Sequence, residues 1–177
     1  MALSGCGGQL FTAATDDPGP PFSLPEASRL RIAIFEIESL RFPFHAGVII
    51  HSPEERILYD PGGYWHHPQA RRIRDVTHAM TPALEEQYFT RSSMQGIPGR
   101  WKLHLFETEV HDDLAREAVV VARQREVVPP GFCVPGTVSL LRRLPGFEDL
   151  PMTLLPGVLL AALHERDDLQ YTQRQIA

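Results

Sequence analysis

The chain has 177 residues, 43% of them hydrophobic, which is enough for one substantial core and too few for two full domains. A net charge of −5 with a sequence pI near 5.9 leaves no basic footprint for nucleic acid, so none is expected as a partner. The two cysteines, Cys6 and Cys133, lie far apart and suggest no structural disulfide, and no apolar run approaches membrane-spanning length.

Residues 1–28 read as an N-terminal tail and linker, and residues 29–177 as one folded domain. Within the tail, Leu3-Ser4-Gly5-Cys6 is similar to the lipobox of bacterial lipoproteins, and the polar, proline-rich run from Thr15 to Pro25 has the make-up of a tether. That likeness implies a lipid on Cys6, membrane attachment through it, and a periplasmic or outer-membrane place. Met1-Ala2 supplies neither the basic region nor the apolar run that precede a lipobox, so this reading requires a start upstream of Met1. A plain tail leaves the protein in the cytoplasm.

Leu30 to Glu38 is β-branched and aromatic with strand-like alternation. It leads into a hairpin with strands at 45–51 and 56–60 around a turn of Ser52-Pro53-Glu54-Glu55. This register sets His51 opposite Arg56, Ile49 opposite Leu58 and Gly47 opposite Asp60. Alternation then puts His45, Gly47, Ile49, Leu58 and Asp60 on one face, with His45 and Asp60 diagonal neighbours across a glycine that offers no obstruction. Pro61-Gly62-Gly63 forces a turn, and Tyr64-Trp65-His66-His67-Pro68 makes an aromatic loop beside this face.

A short strand is expected over Arg72–His78, then a helix capped by Thr81 with Pro82 first, running to about Met94 and ended by Gly96-Ile97-Pro98-Gly99. Trp101 to Val110 alternates as a strand. Asp112 or Asp113 caps the next helix, whose Leu114, Ala118, Val121 and Ala122 share one face. After Val127-Val128-Pro129-Pro130-Gly131-Phe132, a helix is expected from Cys133 to about Leu144, and Pro156 opens a last apolar helix to about Leu163. Trp101 and the stripe of that last helix read as core.

Cys133 at a helix start would have its thiolate favoured by unpaired backbone N–H groups and the helix dipole, and the same donors suit a developing oxyanion. His45, held by Asp60, is the base such a nucleophile needs. Trp65, His66 and His67 are placed at the rim of a substrate cleft. His66, His67, His78 and Asp75 compose a weaker zinc-like set, without His-x-x-x-His or Cys-x-x-Cys spacing, and no metal or cofactor is expected.

The order of these motifs resembles the NlpC-type cysteine peptidases in their circularly permuted, lecithin retinol acyltransferase-like branch. There a His-x-Gly-apolar strand comes first, a polar third residue lies on the next strand, and the cysteine helix follows. Here these are Phe44-His45-Ala46-Gly47-Val48-Ile49-Ile50, Arg56 to Asp60, and the helix opening at Cys133. The resemblance implies an α+β, papain-like antiparallel sheet with packed helices, the Cys133 helix lying on the His45 face. It further implies a Cys133 nucleophile, a His45 base and an Asp60 orienter, for hydrolysis of amide bonds, with cell-wall peptide as first substrate. An acyltransferase or esterase acting on lipid and a non-catalytic anchored binding module are the alternatives. Phe132 stands where members often carry Asn, and Pro135-Gly136 falls unusually early in the helix.

Overall fold

The structure, a computed structural model, describes residues 27–63, 65–91 and 100–176. Cys6, the tail to Glu26, Tyr64 and the expected helix stop at 96–99 lie outside the described residues. The described residues fold as α+β: seven strands in one sheet, every pairing antiparallel, with four helices on its two faces.

Strand β1 (Arg29–Ile37) is flanked by β2 (Phe42–His51), the middle strand of the seven, and on its other side by β6 (Trp101–Glu109). Beyond β2 come β3 (Arg56–Tyr59) and a small hairpin of β4 (Arg72–Ile73) and β5 (Val76–Thr77), in place of the single strand expected. The helices are α1 (Pro82–Arg91), α2 (Asp112–Gln124), α3 (Cys133–Leu141) and α4 (Pro156–His164). His111, rather than Asp112 or Asp113, caps α2, its Nδ1 accepting the Asp113 N–H at 3.3 Å. The last strand, β7 (Gln170–Ile176), pairs with β6 at the sheet edge.

Alternation along the central strands divides the core cleanly. Leu30, Ile32 and Ile34 of β1, with Ala46, Val48 and Ile50 of β2, face a layer built from α2, α3 and α4. Ala33, Phe35, Ile49 and Leu58 face Leu84, Tyr88 and Phe89 of α1. The Cys133 helix therefore does not lie on the face that carries His45, which corrects the expected layering. Trp101, Leu159 and Leu163 are buried, as expected. Among the described residues no helix is long and apolar enough to cross a membrane.

Candidate active site

The hairpin register is the one read from the sequence: His51 pairs with Arg56, Ile49 with Leu58 and Val48 with Tyr59. Pairing stops there, so Asp60 continues the line of β3 without a ladder partner on β2. A bulge in the other ladder adds a second adjustment: Phe35 pairs with His45 and Glu36 with Pro43, leaving Phe44 unmatched. Bulges of this kind re-aim side chains at strand ends. Here the His45 ring comes to lie beside Phe35, centroids 6.0 Å apart, and its Nε2–H donates to Asp60 Oδ1 at 2.6 Å.

Because β3 stops at Tyr59, the edge of β2 at 44–46 is left without a strand, and backbone groups at a sheet edge need partners. The first turns of α3 supply them. Thr137, fully buried, donates its Oγ1 hydrogen to Ala46 O at 3.2 Å, and the Cys133 sulfur lies 3.7 Å from Phe44 O, the acceptor for its thiol. Cys133 thus sits at the sheet edge, near enough to His45 for the two groups to act on each other's proton affinity, although the body of α3 packs on the opposite face. With Nε2 committed to Asp60, the interaction with sulfur falls to Nδ1.

Burial pushes the Cys133 thiol up, but this is outweighed by the His45 hydrogen bond and charge and by N–H groups of Ala46 and Val134, so its pKa lies below the ordinary value. Burial pushes His45 down, and is outweighed by the charge and hydrogen bond of Asp60 and the interaction with Cys133, which carry its pKa up to about 10. Asp60 is held below the carboxylate range: burial opposes this, and the His45 charge and hydrogen bond, followed by Arg72, overcome it. All three shifts run in the direction that favours a thiolate, an imidazolium and a carboxylate in line. The sulfur is more covered than an open nucleophile, since Cys133 and His45 are each only 5% exposed.

Two further residues of the site give no signal in the sequence. Arg72 of β4 folds the loop after Asp60 around itself: Nη1 donates to Asp60 Oδ2 (3.2 Å) and Trp65 O (2.8 Å), and Nη2 to Asp60 O (3.1 Å) and Gly63 O (2.9 Å). Tyr88 of α1, fully buried, donates its hydroxyl to Asp60 Oδ1 at 3.3 Å. Gly47 is what admits that phenol: a Cβ at 47 would stand 2.5 Å from the Tyr88 hydroxyl.

Trp65, His66 and His67 do not form a common rim. Trp65 is 6% exposed and packs edge-on against Tyr88 in the α1 core, so it belongs to the interior, while His66 is exposed and His67, half-buried, stacks on Trp65 at 6.3 Å. Asp75 accepts the Val128 N–H at 2.7 Å, tying the β4–β5 turn to the loop before Cys133, and His78 lies beside Arg123 and Glu55. Among the described residues no group of His, Cys, Asp and Glu is placed to hold a metal ion.

No family model, curated protein or solved structure matches this chain.

Proposed function

We propose that this protein is a cysteine-dependent hydrolase of amide bonds, with a papain-like arrangement of the permuted NlpC type. The observation that carries the reading is the continuous line from Cys133 through His45 to a buried Asp60. Sγ attacks a substrate carbonyl, a C–S bond forms, and the imidazolium passes its Nδ1 proton to the leaving amine as the C–N bond breaks. Water, deprotonated by the now neutral His45, then cleaves the thioester and regenerates the thiolate. Asp60 holds the ring in the tautomer this needs, and backbone N–H groups at the start of α3 suit the developing oxyanion. A peptide is the first substrate class, its assignment to cell wall resting on the family resemblance alone.

A specific observation favours an apolar acyl ester as the second reading. A groove of about 210 Å3 runs against Pro135, Met152, Thr153 and Leu154, beside the first turn of α3, and Phe132, Met152, Leu154 and Leu155 expose large apolar side chains. Such a surface suits an aliphatic chain better than a charged peptide.

The test is acylation by p-nitrophenyl esters of short and long fatty acids and by a peptide p-nitroanilide, with the site found by mass spectrometry. An acyl mass on Cys133 that vanishes in His45→Ala supports the chemistry. Faster acylation by the long-chain ester favours the second substrate class. Equal labelling of wild type and His45→Ala would overturn the reading.

A further inference from the structure

Resting on the Cys133–His45 reading above, we infer that Tyr88 is a positioning residue: its hydroxyl fixes the Asp60 carboxylate and, by sharing Oδ1 with the imidazole, limits how tightly Asp60 holds the His45 proton. Local packing leaves that phenol little freedom. Tyr88 meets Phe35 edge-on at 5.4 Å and 89° and Trp65 at 5.6 Å and 82°, so its ring is fixed from two sides and its hydroxyl projects between Gly47 and Asp60. Edge-to-face contacts of this kind hold a ring in one orientation.

Asp60 has no exposure and, among the described residues, three side-chain donors: His45 Nε2 at 2.6 Å and Tyr88 at 3.3 Å on Oδ1, and Arg72 at 3.2 Å on Oδ2. Both oxygens are engaged, so the carboxylate cannot rotate away from the imidazole. An oxygen shared between two donors is a weaker acceptor toward each. Removing the phenol hydroxyl leaves Oδ1 to His45 alone, which strengthens the hold on imidazolium and makes it a poorer acid toward the leaving group. The charged and titratable groups around the pair are Cys133 from α3, Arg72 from β4, Tyr88 from α1 and Asp75 behind Arg72. Of these, Tyr88 can lose its donor while keeping its shape.

The absent side chain at 47 supplies an independent check. Gly47→Ala would place a methyl 2.5 Å from the hydroxyl, 3.2 Å from the Tyr59 carbonyl oxygen and 3.5 Å from the ring carbon that bears the hydroxyl. The hydroxyl is the severest conflict, and Tyr88→Phe removes it while the tight Tyr59 contact stays the same in both backgrounds. A residue that merely filled the core would not couple these two positions through proton affinity.

The experiment is a titration of the His45 ring by NMR between about pH 6 and 11 in wild type, Tyr88→Phe, Gly47→Ala and the double variant, with thermal unfolding to show that each is folded. Tyr88→Phe should raise the His45 midpoint by about half a unit to one unit, the scale of one ordinary hydrogen bond, since the 3.3 Å contact is long. Gly47→Ala should move it in the same direction, and the double variant should go no further than Tyr88→Phe. An unchanged midpoint in folded Tyr88→Phe, or a Gly47→Ala shift that adds in full to that of Tyr88→Phe, would overturn the role. Iodoacetamide labelling of Cys133 in the same samples separates this from the chemistry itself. Free-thiol behaviour in wild type would sink the cysteine mechanism, while the His45 midpoints still decide whether Tyr88 governs the pair.

Discussion

Pro61 occupies the space that a side chain at Gly136 would need: a Cβ there would lie 2.6 Å from Pro61 Cβ and 3.2 Å from Val128 Cγ2. The glycine in the first turns of α3, which weakens a helix by itself, is what lets the Cys133 helix close on the residue after Asp60.

Gly136→Ala should therefore destabilise the protein, although the same change in an open helix stabilises it. Overpacking against a rigid proline ring costs about 1–3 kcal/mol. Thermal unfolding should show a Tm lowered by several degrees, and Cys133 should lose reactivity as α3 moves off. A raised Tm would mean that the contact is loose.

Asp60→Asn should reduce turnover by about 10²–10⁴, as loss of the carboxylate does in the serine triad. Because it also removes the buried charge facing Arg72, it should lower the Tm, so turnover is compared where the variant is still folded. Tyr59→Phe should leave turnover intact, because Tyr59 faces the other layer, where its hydroxyl accepts from Arg125 Nε at 3.1 Å. Kinetics on whichever p-nitrophenyl substrate acylates Cys133 decides the point. Equal activity in Asp60→Asn and wild type would remove Asp60 from the mechanism.

Arg72→Gln should cost on the order of 3 kcal/mol, the range for removing one partner of a buried ion pair. It removes the donor to Asp60 Oδ2 and opens the loop held through Trp65 O and Gly63 O. Arg72→Lys should recover little, since an ammonium cannot reproduce a planar fork. Urea unfolding of the two variants checks this, and full recovery by lysine would show that only the charge matters.

Acid should destabilise the fold through Asp60 and Glu85. Burial opposes ionisation of Glu85, and is outweighed by the His51 hydrogen bond and then by the charges of Arg31, His51 and Arg56, so its pKa, like that of Asp60, is lowered in the fold. The unfolded chain then takes up protons first, and the stability these carboxylates contribute is whole above the ordinary values of 3.8 and 4.5 and drains as pH falls through the lower folded ones. Glu85→Gln should be less stable at about pH 7 and lose less between about pH 5 and 3. Parallel acid losses in urea midpoints would contradict this.

The hairpin is legible in the sequence because its alternation is strict and its turn is short, and together these fix register; His45 and Asp60 follow from that register. The layering is not legible. Both faces of β1 and β2 are apolar, so nothing in the pattern says which helix covers which face, and the sequence puts Cys133 in the wrong layer even as it points to a meeting with His45. Tyr88 sits in an ordinary helical pattern, and its hydroxyl acquires meaning only once α1 crosses Gly47. Arg72 is one arginine among many, distinguished only by the loop it gathers. β7 is polar and mostly exposed because it is an edge strand, so it lacks the apolar alternation that marks a strand in sequence. Trp65 reads as a rim residue from its histidine neighbours, yet its indole is buried beneath α1.

The central claim is that Cys133 and His45 share a thiolate–imidazolium pair. Its most direct test is the ultraviolet absorbance of thiolate against pH, taken as the difference between each protein and its Cys133→Ser counterpart, which removes the signal of Cys6. Wild type should hold the Cys133 thiolate well below the free-cysteine value of about 8.5, and His45→Ala should return it to that value or above. A single transition near 8.5 in both proteins would contradict the account.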